Sequence, residues 1–311
     1  MNCMPVSRKK GVLWMAHKTV LILGATGMLG HALFDLFSDR EDMDVYAAVR
    51  SIEGLSTLFP QNLLPRILKD VSADEFDSVM NVLSEVKPDV VINCIGIIKQ
   101  LPEAKDPVTS ISINALFPHK LAALCKASGV RMIHLSTDCV FSGTKGMYTE
   151  DDQPDATDLY GRSKLLGEVD YPHCVTLRTS IIGHELKGKY GLVEWFLEQE
   201  GKVKGFANAI FSGFPTVEIA NIISEYIIPN KELKGLYHVS SHRISKYDLL
   251  RLVAERYGKK IEVEKYDGLR CDRSLDSSRF RKATGYNPPS WHELVDRMYK
   301  HFKGTAFYGK Q

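Results

Sequence analysis

From Lys18 onward, short runs of apolar and β-branched residues alternate with stretches whose apolar positions recur at helical spacing. Residues 20–23, Val-Leu-Ile-Leu, form a continuous apolar run of the kind a fully buried strand requires. Residues 28–38 place Leu29, Leu33 and Leu36 on one helical face. The same reading predicts strands at 45–49, 66–68, 89–93, 131–135 and 175–177. Between them it predicts a helix opening near Ala73-Asp74, a longer one over 108–128 that Gly129 stops, and one over 160–169. Strand–helix alternation of this kind implies an α/β chain with a doubly wound parallel sheet covered by helices on both faces.

After Gly183 the alternation loosens. Gly, Lys and aromatic residues mix through 201–206 and 211–216, and helices are expected only at 216–228, 245–257 and 291–302. That tail is too irregular for a second nucleotide fold and reads as a smaller, mixed α/β, substrate-facing region. The division expected is an N-terminal extension at 1–17, a Rossmann-type domain at 18–183, and a mainly substrate-binding region at 184–311, with the chain crossing between the last two. Met15 stands just before the first convincing element and marks the expected functional start.

Composition narrows the classes. At 311 residues the chain is long enough to bury a large core without staples. Forty basic against thirty-eight acidic residues leave +2, which gives no bulk field for nucleic acid or an anionic membrane. No apolar run approaches the length of a bilayer span, so an integral membrane protein is excluded. The six cysteines form no CxxC pair and no metal-ligand spacing, so no metal is expected, and reduced thiols in a cytoplasmic setting are the reading. His238 and His242, four apart, lack further ligands.

Three motifs carry chemistry. Gly24-Ala25-Thr26-Gly27-Met28-Leu29-Gly30 lies between the first strand and first helix, where glycines let backbone N–H groups approach a pyrophosphate. At the end of the second strand, where an NAD site would carry an acidic residue, the chain has Arg50, a cation suited to a ribose 2′-phosphate. NADPH is therefore favoured, with NADH as the alternative. Tyr160-Gly-Arg-Ser-Lys164 sets a phenol and an ammonium four apart on one helical face, which is expected to lower the tyrosine pKa toward working pH and make it an acid or base for carbonyl–alcohol interconversion. Ser136-Thr137-Asp138 closes the fifth strand at the sheet edge where such folds bind ligands.

Together with Asn93-Cys94-Ile95-Gly96, these motifs resemble an extended short-chain dehydrogenase/reductase. The runs 135–143, 148–152, 160–168 and 177–180 most resemble the dTDP-4-dehydrorhamnose reductase family, and the resemblance covers 18–302. It implies a catalytic trio of Thr137, Tyr160 and Lys164. Gly27, Met28 and Leu29 would face the pyrophosphate, Asp70 and Val71 the adenine, Gly96, Ile97 and Ile98 the cofactor ribose, and Thr137 and Asp138 the sugar. The implied activity is NADPH-dependent reduction of a nucleotide-linked 4-keto-6-deoxy sugar for cell-surface polysaccharide precursors, by a cytoplasmic enzyme that forms a homodimer in some relatives.

Two departures fall beside the substrate. Cys139 stands where the family usually has Tyr, and Ile181 where it has Trp, so both dTDP- and UDP-linked sugars stay open. Dehydratases carry Glu at the position of Cys139, which speaks against water loss. A nucleotide-sugar 4-epimerase uses the same Tyr and Lys. Some relatives are instead binding partners of methionine adenosyltransferase, which keeps a non-catalytic regulatory subunit as an alternative.

Overall fold

The structure, a computed structural model, describes residues 17–51, 53 and 58–308. Residues 1–16 of the expected N-terminal extension, Met15 and Cys3 among them, lie outside the described residues. The chain runs β1 (Lys18–Leu23), α1 (Met28–Ser38), β2 (Met43–Ala48), β3 (Ile67–Leu68), α2 (Phe76–Val86), β4 (Val90–Asn93), α3 (Pro107–Ser110), α4 (Phe117–Ala127), β5 (Arg131–Thr137), α5 (Leu159–Leu166) and β6 (Cys174–Thr179). It continues through β7 (Ile181–Ile182), α6 (Leu192–Glu198), β8 (Lys202–Phe206), β9 (Ala209–Phe211), β10 (Phe214–Pro215), α7 (Thr216–Ile222) and β11 (Gly235–His238). The last elements are β12 (Ile244–Ser245), α8 (Lys246–Tyr257), β13 (Glu262–Tyr266), β14 (Cys271–Asp272), α9 (Ser278–Thr284) and α10 (Trp291–Gly304).

Seven strands form one sheet in the order β3-β2-β1-β4-β5-β6-β11, every neighbouring pair parallel. The strand order reverses between β1 and β4, which opens a crevice beyond their carboxyl ends. Register aligns those ends: Leu23 pairs with Ala48 on one side and with Asn93 on the other. This is the doubly wound Rossmann-type architecture expected from the alternation.

Both faces are buried, as a parallel sheet with crossover helices requires. Val20 and Ile22 of β1 join one apolar cluster, while Leu21 and Leu23 join the other under α2 and α4. The first cluster runs from the sheet through Leu33, Phe34 and Phe37 of α1 to Ile219 and Ile222 of α7, Leu249 of α8 and Leu294 of α10. The two halves of the chain therefore share one core.

Three local differences from the sequence-based expectation have physical causes. The helix expected over 108–128 is continuous but widens to a π-helical turn at Ile111–Leu116. Pro118 has no N–H to return to the Asn114 carbonyl, so the regular ladder cannot pass that point. The helix expected to open at Ala73-Asp74 starts at Phe76, because the Ser72 N–H is taken by the Ser78 hydroxyl at 2.9 Å in a preceding turn. The tail also holds more structure than expected: α6, α9 and several short strands, with β11 completing the main sheet against β6.

Candidate active site

The glycine turn is built by close approach. Gly24 has φ +81°, and a Cβ there would meet the Cys94 and Ile95 backbone at 3.0 Å. A Cβ on Gly30 would lie 2.3 Å from the Gly24 carbonyl oxygen, so only a bare Cα lets α1 sit this close to the turn. Gly27 differs: it is exposed, and a Cβ there would meet only the Gly24 oxygen, at 3.4 Å. As the N-cap of α1, Gly27 offers no side-chain cap, which leaves the first-turn N–H groups of the helix open to an anion. Leu29 is buried in the core, so only its backbone can serve a ligand, and Met28 packs toward Gly191.

Beside this turn, Arg50 follows β2 with an exposed side chain. Asp70, after β3, is exposed and takes a left-handed backbone (φ +59°), while Val71 is buried and its N–H donates to the Val49 carbonyl at 3.1 Å. After β4, Gly96 is bare: a Cβ there would meet only Asn114 Oδ1 at 3.3 Å and Lys164 Nζ at 3.7 Å. The Ile97 N–H and C=O are both taken by the Asn114 amide, at 2.9 and 3.1 Å, and its side chain packs with Ala104 and Ile113. Ile98 remains exposed. An uncapped helix start, two bare Cα positions and an exposed cation thus follow the carboxyl ends of β1, β2 and β4.

Thr137, Tyr160 and Lys164 gather at the carboxyl end of β5. Thr137 ends that strand, and its Oγ1 accepts the Cys139 N–H at 3.1 Å. Asp158 caps α5 by accepting the Gly161 N–H at 2.8 Å. A Cβ on Gly161 would strike the Cys139 carbonyl at 2.3 Å, so glycine lets the first turn of α5 lie flat on the Thr137–Cys139 turn. Tyr160 sits on that same first turn, where the Thr137 side chain acts on its phenol. One turn later, Lys164 is buried and its ammonium donates to the Leu135 carbonyl at 2.7 Å.

Burial sets the protonation states. The Tyr160 pKa is pushed up by desolvation, with Cys139 and Asp138 adding to the rise and Thr137 opposing it. The direction is opposite to the lowering expected from the lysine, because desolvation disfavours the phenolate, and the phenol is neutral. Burial also lowers Lys164 to about 8, partly offset by Glu168. Desolvation raises Asp138, with Arg273 opposing, and pushes the Cys139 thiol up to about 12.

Three supporting features escaped the sequence reading. Asn114 lies in the π-helical turn, fully buried, and its amide also reaches Ser163 Oγ on α5 at 3.3 Å. Its carbonyl abuts Gly167, where a Cβ would come within 1.9 Å. Glu168, just past α5, accepts from Arg178 Nε at 2.7 Å and Nη2 at 2.6 Å and from Ser136 Oγ at 2.6 Å, which ties the helix to β5 and β6. Arg273 donates to the Phe141 carbonyl at 2.8 Å, and its charge acts on Asp138 and Cys139. A proline four positions after Asn114 was the one local trace of the first. His238 is buried with its ring between the Tyr148 carbonyl at 3.0 Å and Arg178 at 3.2 Å, a structural role.

Comparison with known proteins agrees with this fold. The β subunit of methionine adenosyltransferase 2 from Danio rerio is 29% identical over 259 residues, covering 79% of this chain and 76% of that protein. A probable low-salt glycan biosynthesis reductase, Agl14, from Haloferax volcanii is 32% identical over 148 residues, 47% of this chain and 46% of its own. The crystal structure of dTDP-4-dehydrorhamnose reductase from Bacillus anthracis in complex with NADP superposes with a TM-score of 0.73 at 22% identity, covering 92% of this chain and 99% of that one. The family model described as the RmlD substrate binding domain matches residues 18–303, from the first strand of the sheet through α10. The chain therefore belongs to the RmlD substrate-binding-domain family, of the extended short-chain dehydrogenase/reductase type.

Proposed function

We propose that this protein is an NADPH-dependent reductase of a nucleotide-linked 4-keto-6-deoxy sugar. The observation that carries the reading is the half-buried, neutral Tyr160 phenol beside Thr137, one helical turn from Lys164, on the same sheet edge as the glycine turn. In this reading the α1 N–H groups at Met28 and Leu29, with Gly24, Gly27 and Gly30 shaping the turn, hold the pyrophosphate. Arg50 takes the 2′-phosphate, Asp70 and Val71 border the adenine, and Gly96 to Ile98 and Lys164 border the nicotinamide ribose. NADPH supplies the hydride that the sugar C4 accepts.

The chain's own residues manage the oxygen. The Thr137 hydroxyl orients the keto oxygen toward Tyr160, and the phenol gives its proton to that oxygen as negative charge develops there. A raised phenol pKa suits this direction, because the donor must enter the reaction protonated. Lys164, as an ammonium, then stabilises the phenolate left behind. Asp138 lies beside Thr137 and binds sugar hydroxyls. No helix among the described residues is long and apolar enough to cross a membrane.

The test follows NADPH consumption with a panel of dTDP- and UDP-linked 4-keto-6-deoxyhexoses, NADH in parallel. Turnover with any of them supports the reading, and the preferred nucleotide identifies the substrate. A second reading, a regulatory subunit, draws on the similarity to the methionine adenosyltransferase β subunit. It predicts NADPH binding, no reduction of any keto sugar, and stoichiometric capture of a catalytic adenosyltransferase chain.

A further inference from the structure

The end of the described chain is tied to the glycine turn. After α10, residues Ala306–Tyr308 make one 3₁₀ turn, with the Phe307 N–H held by Thr305 Oγ1 at 3.2 Å. Phe307 is buried and packs edge-on against Phe59 with ring centroids 5.2 Å apart, and Phe59 in turn lies 5.9 Å from Phe34 of α1. Phe59 belongs to the connection that leaves β2 just after Arg50. The Tyr308 hydroxyl lies 2.5 Å from His31 Nε2, and His31 Nδ1 lies 2.8 Å from the Gly27 carbonyl oxygen.

Donor logic fixes the direction of this relay. The Gly27 carbonyl can only accept, so Nδ1 carries the imidazole proton, Nε2 accepts, and Tyr308 donates. Burial holds His31 neutral by lowering its pKa to about 4, against the raising effect of the Gly27 carbonyl and of Asp35. The facing groups are His184 of the β7–α6 connection and His301 of α10, both lowering it further. The single tautomer therefore persists through the neutral range. Gly27 is also the residue whose conformation aims the uncapped first turn of α1, and it has no side chain to steady itself.

We propose that Tyr308 is a positioning residue for the dinucleotide, holding the Gly27 peptide through His31 while Phe307 holds the connection after Arg50. The proposal rests on the reading of the crevice as an NADPH site. It assigns to the last turn of the chain control of cofactor affinity and none of the chemical step. The two grips fall on the two segments that would border the adenosine half of the cofactor. A ligand bound there and the docked C-terminal turn favour the same conformation, and by reciprocity each must stabilise the other.

The experiment compares full-length wild type with Tyr308→Phe, which keeps the ring and removes only the donor. Direct titration should show the Kd for NADPH rising about fivefold, as for loss of one neutral hydrogen bond. At saturating NADPH, kcat and the KM for the keto sugar should not change. In the wild type, NADPH should slow hydrogen exchange at the Phe307 and Tyr308 amides, and in the variant this protection should shrink. Equal NADPH affinity in the two proteins, or a parallel loss of kcat and thermal stability with no change in Kd, overturns the proposal. Failure of the wild type to bind any dinucleotide instead overturns the reading of the crevice.

Discussion

Glu168→Gln tests how the sheet holds the helix that carries Tyr160 and Lys164. Glu168 and Arg178 are nearly buried, with side-chain exposures of 12% and 4%, and they meet in a two-point contact at 2.7 and 2.6 Å, with Ser136 adding a third bond at 2.6 Å. Gln preserves the shape but removes the charge, leaving the Arg178 guanidinium in the interior facing a dipole. Removing one partner of a buried pair costs about 3 to 5 kcal/mol, and the retained amide oxygen should hold the loss near 3. For a chain of this size that corresponds to a fall in Tm of about 5 °C. Denaturant unfolding supplies the free energy. A double-mutant cycle with Arg178→Met, in which no unpaired charge remains, should recover about half of the loss. The same change withdraws the negative charge that raises the Lys164 pKa, so the alkaline limb of the activity profile should move to lower pH. A loss under 1 kcal/mol, or an additive cycle, would refute the view that this pair anchors α5.

Other outcomes follow from the same geometry. Tyr160→Phe should lower kcat by at least about a hundredfold while the Kd for NADPH, read by titration, stays within twofold or so. Because reduction needs Lys164 as the ammonium and burial has lowered its pKa to about 8, kcat/KM should fall as pH rises through that value in the free enzyme; a flat profile to pH 10 or so would contradict this. Arg50→Ser should raise the KM for NADPH about tenfold or more and leave that for NADH unchanged, as loss of a charge-assisted bond to a 2′-phosphate requires. Gly30→Ala places a methyl within 2.3 Å of the Gly24 oxygen, so α1 must shift off the turn, measurable as lost NADPH binding and a lowered Tm.

Where an element's fate depended on its own residues, the sequence was enough. The apolar run at 20–23 and the glycines after it located β1 and α1, and Gly129 stopped the long helix. The grouping of Thr137, Tyr160 and Lys164 around the end of β5 was legible because strand end, turn and helix each carried a local signature. What stayed hidden depended on residues far apart in the chain. Tyr237 pairs with Leu177, and nothing local in Gly-Leu-Tyr-His announces membership of the main sheet. Asn114 reads as an ordinary helical polar residue until folding brings Ile97 against it. The direction of the Tyr160 pKa shift stayed hidden for the same reason: the sequence displays the lysine four residues on, whereas desolvation, with Cys139 and Asp138 adding to it, arises only on folding.

The late arrival of β11 has a consequence for synthesis. The strand that closes the sheet beside β6 emerges only after β7, α6, β8, β9, β10 and α7 have been made, and α1 covers its apolar face with Ile219 and Ile222 from that same later stretch. A nascent chain ending near Gly183 therefore carries the whole glycine turn and the Tyr160–Lys164 helix, yet has a bare β6 edge and an uncovered helix flank. During translation this intermediate is the species most exposed to mispairing and most in need of a chaperone. A ribosome stalled at that point should present a protease-sensitive, dye-binding chain, and one stalled after α10 has cleared the exit tunnel should not.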